Sequence, residues 1–352
     1  MINRAEPAYL VYSANVLRHN TGSNHPEQAI RIERLVADLL HSNLGKTIEW
    51  HQPVHASRED ILRVHAPTMI SKLELSIARG EPVDAGDTPV AVGSDFAAMA
   101  AAGAAIEAVK LTASGNGRAA FAVVRPPGHH ATPTQSMGFC IYNNVAIAAE
   151  YALASGLAKR IAIVDFDIHH GNGTQDAFYG RDDVLVVSSH QFPAYPGSGN
   201  FGEIGVGAGT GFNVNIPMPT NVGDEGLIQI YMSLLPALMA RFLPDIILVS
   251  AGYDGHWLNS DYVAGIRQNI CTRGFYRLSQ LLRELSHEYT GGRIAGILEG
   301  GYHVGALSEG VQSTLRAWSG LDFETDSFGS NGRPDVSVQH IIDTVRRIHR
   351  IA

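Results

Sequence analysis

The chain has 352 residues, of which 45% are hydrophobic and 17% charged, with 37 Gly and 16 Pro. This profile excludes disordered, collagenous and coiled-coil classes and leaves room for a large buried core, here expected as one domain over 1–352. A formal net charge of −8, from 26 Lys and Arg against 34 Asp and Glu, argues against nucleic-acid or membrane partners and inclines toward cationic ligands.

In chain order, Met1 to Val16 lacks the basic start, apolar stretch and cleavage site of a signal peptide. Strands are predicted at Ala8–Tyr12, Thr47–Trp50, Ala119–Val124, Ile161–Val164, Val184–Ser188, Phe212–Ile216, Asp245–Ser250 and Arg293–Leu298. Helical periodicity lies between them at Pro26–Leu40, Asp95–Thr112, Asn144–Ala154, Glu225–Phe242 and Thr272–Tyr289, with Pro26 suited to a first helical position. The most apolar long run, Phe96 to Leu111, carries Glu107 and Lys110 and is rich in Ala, a poor bilayer segment. Continuous apolar strands such as Ile246 to Val249 predict burial on both faces, hence a mostly parallel α/β sheet covered by helices. After the Gly/Ser/Asp-rich stretch Gly320 to Pro334, a final helix at 336–348 is expected as an appendage. Cys140 and Cys271 support neither a disulfide framework nor a Cys-x-x-Cys zinc site, and a soluble, cytoplasmic protein is expected.

In such sheets ligands bind beyond the carboxyl ends of the strands. Seven of the 16 histidines fall in five segments read as just past a strand: His129 and His130, His169 and His170, His190, His256, and His303. Asp-x-His in extended chain projects both side chains to one face, so Asp167 and His169 form a two-ligand pair for a divalent metal, with Asp254 as a third. Asp165 shares that face, and spacing alone does not decide which carboxylates bind; Asp165 and Asp167 could instead cap a helix or pair with Arg. One of the tandem histidines next to a metal can take a proton from water and return it to a leaving group, oriented by Asp165 or Asn172. Tyr302 follows Gly300 and Gly301, which would let its loop move and bring a phenol to a developing oxyanion.

Arg125-Pro126-Pro127-Gly128-His129-His130, Gly138-Phe139-Cys140, Asp165 to Thr174, Ala251-Gly252-Tyr253-Asp254 and Glu299-Gly300-Gly301-Tyr302 together resemble, in order, the zinc-dependent histone deacetylase and acetylpolyamine amidohydrolase family, from about His25 to about Trp318. The resemblance implies an arginase/deacetylase fold with a parallel sheet of about eight strands. It also implies zinc ligands Asp167, His169 and Asp254, with His130 as general base and acid held by Asn172, and His129 held by Asp165 in an electrostatic role. Tyr302 would polarise the scissile carbonyl. Gly138 and Phe139 would form one wall of an acyl channel and Tyr195 the other. Asn172 departs from the Asp of the class I branch and fits the class II-like branch, which should lower the basicity of His130. Structural potassium would map to Asp165, Asp167, His169, Ser188 and Ser189, and at a second position to Phe178, Arg181, Val184 and Phe212.

The reaction so implied is hydrolysis of an N-acetyl amide, of acetyl-lysine or a small acetylpolyamine. Asp261, seven residues after Asp254, would draw a second amine to the channel mouth unless it only caps a helix or faces solvent. Asp87 is a candidate for holding substrate backbone at the rim. A binuclear-manganese ureohydrolase of the same fold would want carboxylates where this chain has Gly171 and His256. A non-catalytic binding protein would be expected to have lost Tyr302, a histidine or a ligand, and none is missing. A homo-oligomer is left open.

Overall fold

The computed structural model describes residues 6–84, 86–114 and 116–351. Among these residues, eight strands form one sheet: β1 (Tyr9–Tyr12), β2 (Glu49–His51), β3 (Ala120–Val123), β4 (Ile161–Asp165), β5 (Val184–Gln191), β6 (Asn213–Met218), β7 (Ile246–Ala251) and β8 (Ile294–Leu298). The order is β2-β1-β3-β8-β7-β4-β5-β6 and every pairing is parallel. Strands β3 to β8 are buried throughout, β3, β4, β7 and β8 as mostly apolar runs and β5 and β6 with polar residues among the buried ones. All eight predicted strands are present, in an α/β fold.

Two linked series of helices cover the sheet. One runs α1 (Ile30–His41), α10 (Val304–Trp318), α9 (Thr272–Thr290), α8 (Asp224–Phe242) and α11 (Gln339–His349); the other runs α4 (Pro67–Arg79), α5 (Ser94–Ala113), α6 (Asn144–Ala154) and α7 (Asn172–Phe178), with the short α3 (Arg58–Leu62) against α6. A further short helix, α2 (Asn43–Thr47), follows α1. By length and composition α5 could cross a membrane, but 67% of its apolar window is buried inside the fold, where small residues allow close packing. A Cβ at Gly103 would lie 2.1 Å from the Val54 carbonyl. The last helix, α11, lies on α8 and β6 with Ile341, Ile342 and Val345 buried.

Three local expectations are corrected. Helix α1 starts at Ile30 and not Pro26: the Glu27 carbonyl accepts from the Thr21 hydroxyl and the Arg125 guanidinium, and the Arg31 N–H turns to the Gln28 carbonyl instead. Strand β5 continues past Ser188 to Gln191, paired with β6 through Gln191 and Met218, so Ser189 and His190 lie inside the strand instead of beyond it. Helices α4 and α10 were not anticipated, although α4 has Pro67 at its first turn and Gly80 at φ 67 just past its end.

Register sets the site. Asp165 on β4 pairs with Ser250 on β7, and Ala251 on β7 with Leu298 on β8, while β3 lies on the other side of β8. The carboxyl ends of β3, β8, β7 and β4 therefore converge at the middle of the sheet, and the chemical motifs follow those four ends.

Candidate active site

Backbone amides fix the acidic side chains. Asp165 Oδ1 accepts the Asp167 N–H (3.1 Å), Asp167 Oδ1 accepts the His169 N–H (2.9 Å), and Asp254 Oδ1 accepts the Ile168 N–H (3.1 Å). The Gly300 N–H donates to Asp167 Oδ2 at 2.9 Å, which ties the loop after β8 to the loop after β4. Close approach requires glycine here: a Cβ at Gly252 would sit 2.0 Å from Asp167 Oδ2, and one at Gly300 2.6 Å from Asp254 Oδ2.

Asp167, His169 and Asp254 are buried, and one donor atom from each lies within 4.8 Å of the others. His169 Nδ1 is 2.8 Å from Asp254 Oδ2 and 3.2 Å from Asp167 Oδ1. Asp254 Oδ2 nevertheless has no aligned hydrogen bond, so the short contact is one of donors turned toward a common point. Burial and the neighbouring Asp167 push the Asp254 carboxyl above its ordinary range. Burial opposes a charge on His169, yet Asp254 and Asp167 outweigh it and raise the ring to about 9. Two carboxylates and one imidazole whose donor atoms meet in one buried place fit a borderline divalent ion such as zinc. Asp165 points elsewhere, its Oδ2 accepting from His129.

The tandem histidines have unlike partners. His129 Nδ1 donates to Asp165 Oδ2 at 3.0 Å, whereas His130 Nδ1 donates to the amide oxygen of Asn172 at 2.8 Å. Burial works against a charge on His129, but Asp165 and Asp167 hold it well above the usual imidazole value. Burial, then His129 and His169, hold His130 well below it. One ring is thus kept charged and the other neutral with a free Nε2.

Gly138 has φ 59, and a Cβ there would lie 2.6 Å from the His130 ring and 2.9 Å from Tyr195 Oη. Phe139 is also at positive φ, 67°, and its N–H donates to Thr88 Oγ1 at 3.0 Å. Its ring stands edge-on to Tyr302 at 5.7 Å, while Tyr195 stands edge-on to His130 at 5.1 Å. The two proposed walls therefore flank the histidines and Tyr302.

Tyr302 is pinned, contrary to the mobile glycine turn expected. Asn259, fully buried, accepts the Tyr302 and His303 N–H groups on one oxygen (2.6 and 2.9 Å) and donates to the carbonyls of Tyr253 (3.1 Å) and His256 (3.3 Å). Arg31 donates to the carbonyls of Gly301 and Glu299, both at 2.6 Å, with its guanidinium 5.0 Å from the Tyr302 ring. Burial, then Asp254, push the Tyr302 phenol well above its ordinary value, so it stays a donor.

Asp87 is exposed on the rim, its carboxylate accepting from Thr88 Oγ1 at 2.9 Å; burial and then Asp84 raise it to about 6. Asp261 ends a short 3-10 turn, Trp257–Asp261, and lines a cavity of about 290 Å³ with His25, Tyr262, Tyr302 and Val304. Among the potassium candidates, Ser189 Oγ lies 2.6 Å from Tyr231 Oη and Ser188 Oγ 3.1 Å from His190 Nδ1. The carbonyls of Phe178 and Phe212 accept the Arg181 and Val186 N–H groups at 3.0 and 2.9 Å, and the Arg181 guanidinium pairs with Asp183 and Glu150 next to β5, which begins at Val184.

Sequence reasoning missed several supports. Glu299 Oε2 accepts the Gly128 N–H (2.6 Å) and the His129 N–H (3.1 Å), and buried Arg125 clasps Glu27 at 3.0 and 2.8 Å. Both carboxylates are remote in sequence from what they hold, and no local periodicity marks them.

Residues 25–318 match the family model described as the histone deacetylase domain. A probable deacetylase of Archaeoglobus fulgidus is 35% identical over 97% of this chain and 97% of that protein. A histone deacetylase-like amidohydrolase of Pseudomonas aeruginosa is 36% identical over 80% of this chain and 73% of that protein. The crystal structure of the HDA15 HD domain superposes with a TM-score of 0.87 at 28% identity, covering 98% of this chain and 94% of that one.

Proposed function

The chain belongs to the histone deacetylase family, and from that premise we propose that it is a zinc-dependent hydrolase that removes acetyl groups from N-acetylated amines. The observation that carries this reading is the buried trio Asp167, His169 and Asp254, with its unpartnered Asp254 oxygen, set beside two histidines of opposite charge preference. Those three side chains would hold zinc, whose chemistry is Lewis acidity toward water and a carbonyl oxygen.

His130 Nε2 takes the proton of the attacking water and later delivers one to the departing nitrogen. Asn172 orients the ring without charging it, which suits a group that must be neutral before attack. His129, held cationic by Asp165, stabilises negative charge as it develops. Tyr302 donates its phenolic proton in a hydrogen bond to the oxyanion, with Asn259 and Arg31 fixing its loop. Phe139 and Tyr195 bracket the acyl group and keep bulk water away. The products are acetate and a free amine, with no covalent enzyme intermediate.

The substrate proposed is a small acetylated cation, such as an acetylpolyamine, in preference to a bulky acetyl-lysine protein. Asp261 on the cavity that reaches Tyr302 supports this, and Asp87 adds a second rim carboxylate. Structural potassium is part of the same reading: Phe178 and Phe212 each keep one carbonyl lone pair for an ion. The binuclear alternative is disfavoured sterically as well as chemically, since a Cβ at Gly171 would already lie 2.3 Å from Asp165 Oδ2.

Acetate release from a panel of acyl amines tests the reading. Tyr302→Phe is expected to lower turnover by about 10²–10³-fold while zinc stays near one per chain. Full activity in that variant would remove the role given to Tyr302.

A further inference from the structure

Behind the histidine pair lies a second set of metal-capable groups. A ring nitrogen of His129, Cys140 Sγ and a carboxylate oxygen of Glu299 lie within 4.8 Å of one another, and all three residues are buried. An independent observation points to a ligand there. Glu299 Oε2 is satisfied by two backbone N–H groups, but Oε1 is buried with no hydrogen-bond partner among the described residues. Leaving a carboxylate oxygen so costs free energy that a bound group would offset. The buried Arg31 guanidinium does not supply that partner: it donates to the Glu299 and Gly301 main-chain carbonyls and to Glu27.

We propose that His129, Cys140 and Glu299 form a second, inhibitory site for a borderline divalent cation, zinc foremost. Thiolate, imidazole and carboxylate are the donors zinc takes in tetrahedral sites, and three of them leave a fourth position for water. Loading exchanges charge in balance: the cation enters, the Cys140 thiol and the charged His129 ring each lose a proton to solvent, and a sulfur–metal and a nitrogen–metal bond form. The Asp167, His169 and Asp254 set needs no thiol deprotonation, so the second site fills after the first.

The two sets share a wall. His129 Nε2 is 3.8 Å from Asp167 Oδ1, so His129 borders both sets. Binding there occupies His129, either at the nitrogen facing the reaction centre or at the one held by Asp165. Both outcomes withdraw the ring from the reaction. This inhibitory consequence rests on the deacetylase reading, whereas the binding itself does not.

Cobalt separates the two claims. The first set contains no sulfur, so thiolate-to-cobalt charge transfer reports the second alone. Titration of metal-free protein with Co2+ is expected to reach two ions per chain, the band rising only with the second equivalent. Asp254→Asn should keep the band with one ion, and Cys140→Ser should bind one ion without it; Cys140→Ala serves as the second variant if serine disturbs folding. With zinc, excess metal should cut wild-type turnover about tenfold and that of Cys140→Ser under about twofold, since loss of a ligand weakens a site at least as much as loss of its outer partner. One ion per chain in the wild type, no sulfur band, or a band persisting without Cys140 would overturn the second site. Absence of acetate release at any zinc level would instead overturn the deacetylase reading, with the ion count unaffected.

Discussion

Replacing Asn259 by Ala removes one side chain that joins the loop of Asp254 to the loop of Tyr302. Two backbone groups lose their partner, the N–H groups of Tyr302 and His303, while the carbonyls of Tyr253 and His256 lose one hydrogen bond each but keep the backbone N–H groups of His256 and Asn259. Each of the two N–H groups left unsatisfied costs about 1–3 kcal/mol, and water entering the vacated volume recovers part, so a net loss of about 2–4 kcal/mol is expected. Catalysis should fall further than stability explains, because a shift of about 1 Å in Tyr302 costs about 10²-fold in kcat. Asn259→Asp keeps the acceptor facing Tyr302 but loses both donated hydrogen bonds. It should therefore restore kcat to within about fivefold of wild type while staying about 1–3 kcal/mol less stable. Urea unfolding of the zinc-loaded protein and steady-state acetate release provide the two readouts. If Asn259→Ala keeps wild-type kcat and stability, or if the Asp variant loses as much kcat as the Ala variant, the positioning argument fails.

Other outcomes follow from the same contacts. Asn172→Asp places a charge beside His130 Nδ1, now 2.8 Å from an amide oxygen, and should raise the ring's pKa by about 1–3 units. Since the base must be neutral, the acidic limb of kcat/KM should move to higher pH; an unmoved limb contradicts the assignment of His130. Burial opposes ionisation of Glu27, but Arg125 and Arg31 overcome it and hold its carboxyl at about 2. A depressed carboxyl stabilises the fold above its unfolded pKa and loses that contribution as pH falls through the folded value, so about 3 kcal/mol should disappear between about pH 4.5 and 2. Glu27→Gln should lack that dependence and lose about 3–5 kcal/mol at neutral pH, because two guanidinium groups are left buried; an unchanged acid-unfolding curve would refute the clasp. Asp261→Leu should lower kcat/KM for acetylputrescine by about 1 kcal/mol or more, as for one lost exposed charge contact, and spare neutral acetyl-lysine peptides. Unchanged selectivity would remove Asp261 from substrate choice.

The sheet was legible because parallel strands buried on both faces must be written as unbroken apolar runs, and Ile246 to Val249 is such a run. The Asp167 and His169 pair was legible because a period of two puts both on one face, and its neighbours by chain order pointed to Asp254. Which carboxylate faces inward was not, since Asp165 has the same parity and only the position of His129 separates them. Ser189 and His190 were misplaced because polar residues near a strand end look like a loop until the pairing of β5 with β6 is known. Asn259, Glu299 and the Glu27 clasp act on groups 43, 171 and 98 residues away, and hydrogen bonds at such separations leave no local pattern. The glycines before Tyr302 suggested mobility, yet they serve close approach, with Gly300 against Asp167 and Asp254.

The central claim is that acetate release depends on a metal held by Asp167, His169 and Asp254. Stripping the protein of metal and adding zinc back in fractional equivalents measures it directly, with Asp254→Asn in parallel. Release of acetate should vanish on stripping, return in proportion to the first equivalent of zinc, and stay absent in the variant. Undiminished release from metal-free protein, or full activity in Asp254→Asn, would contradict it.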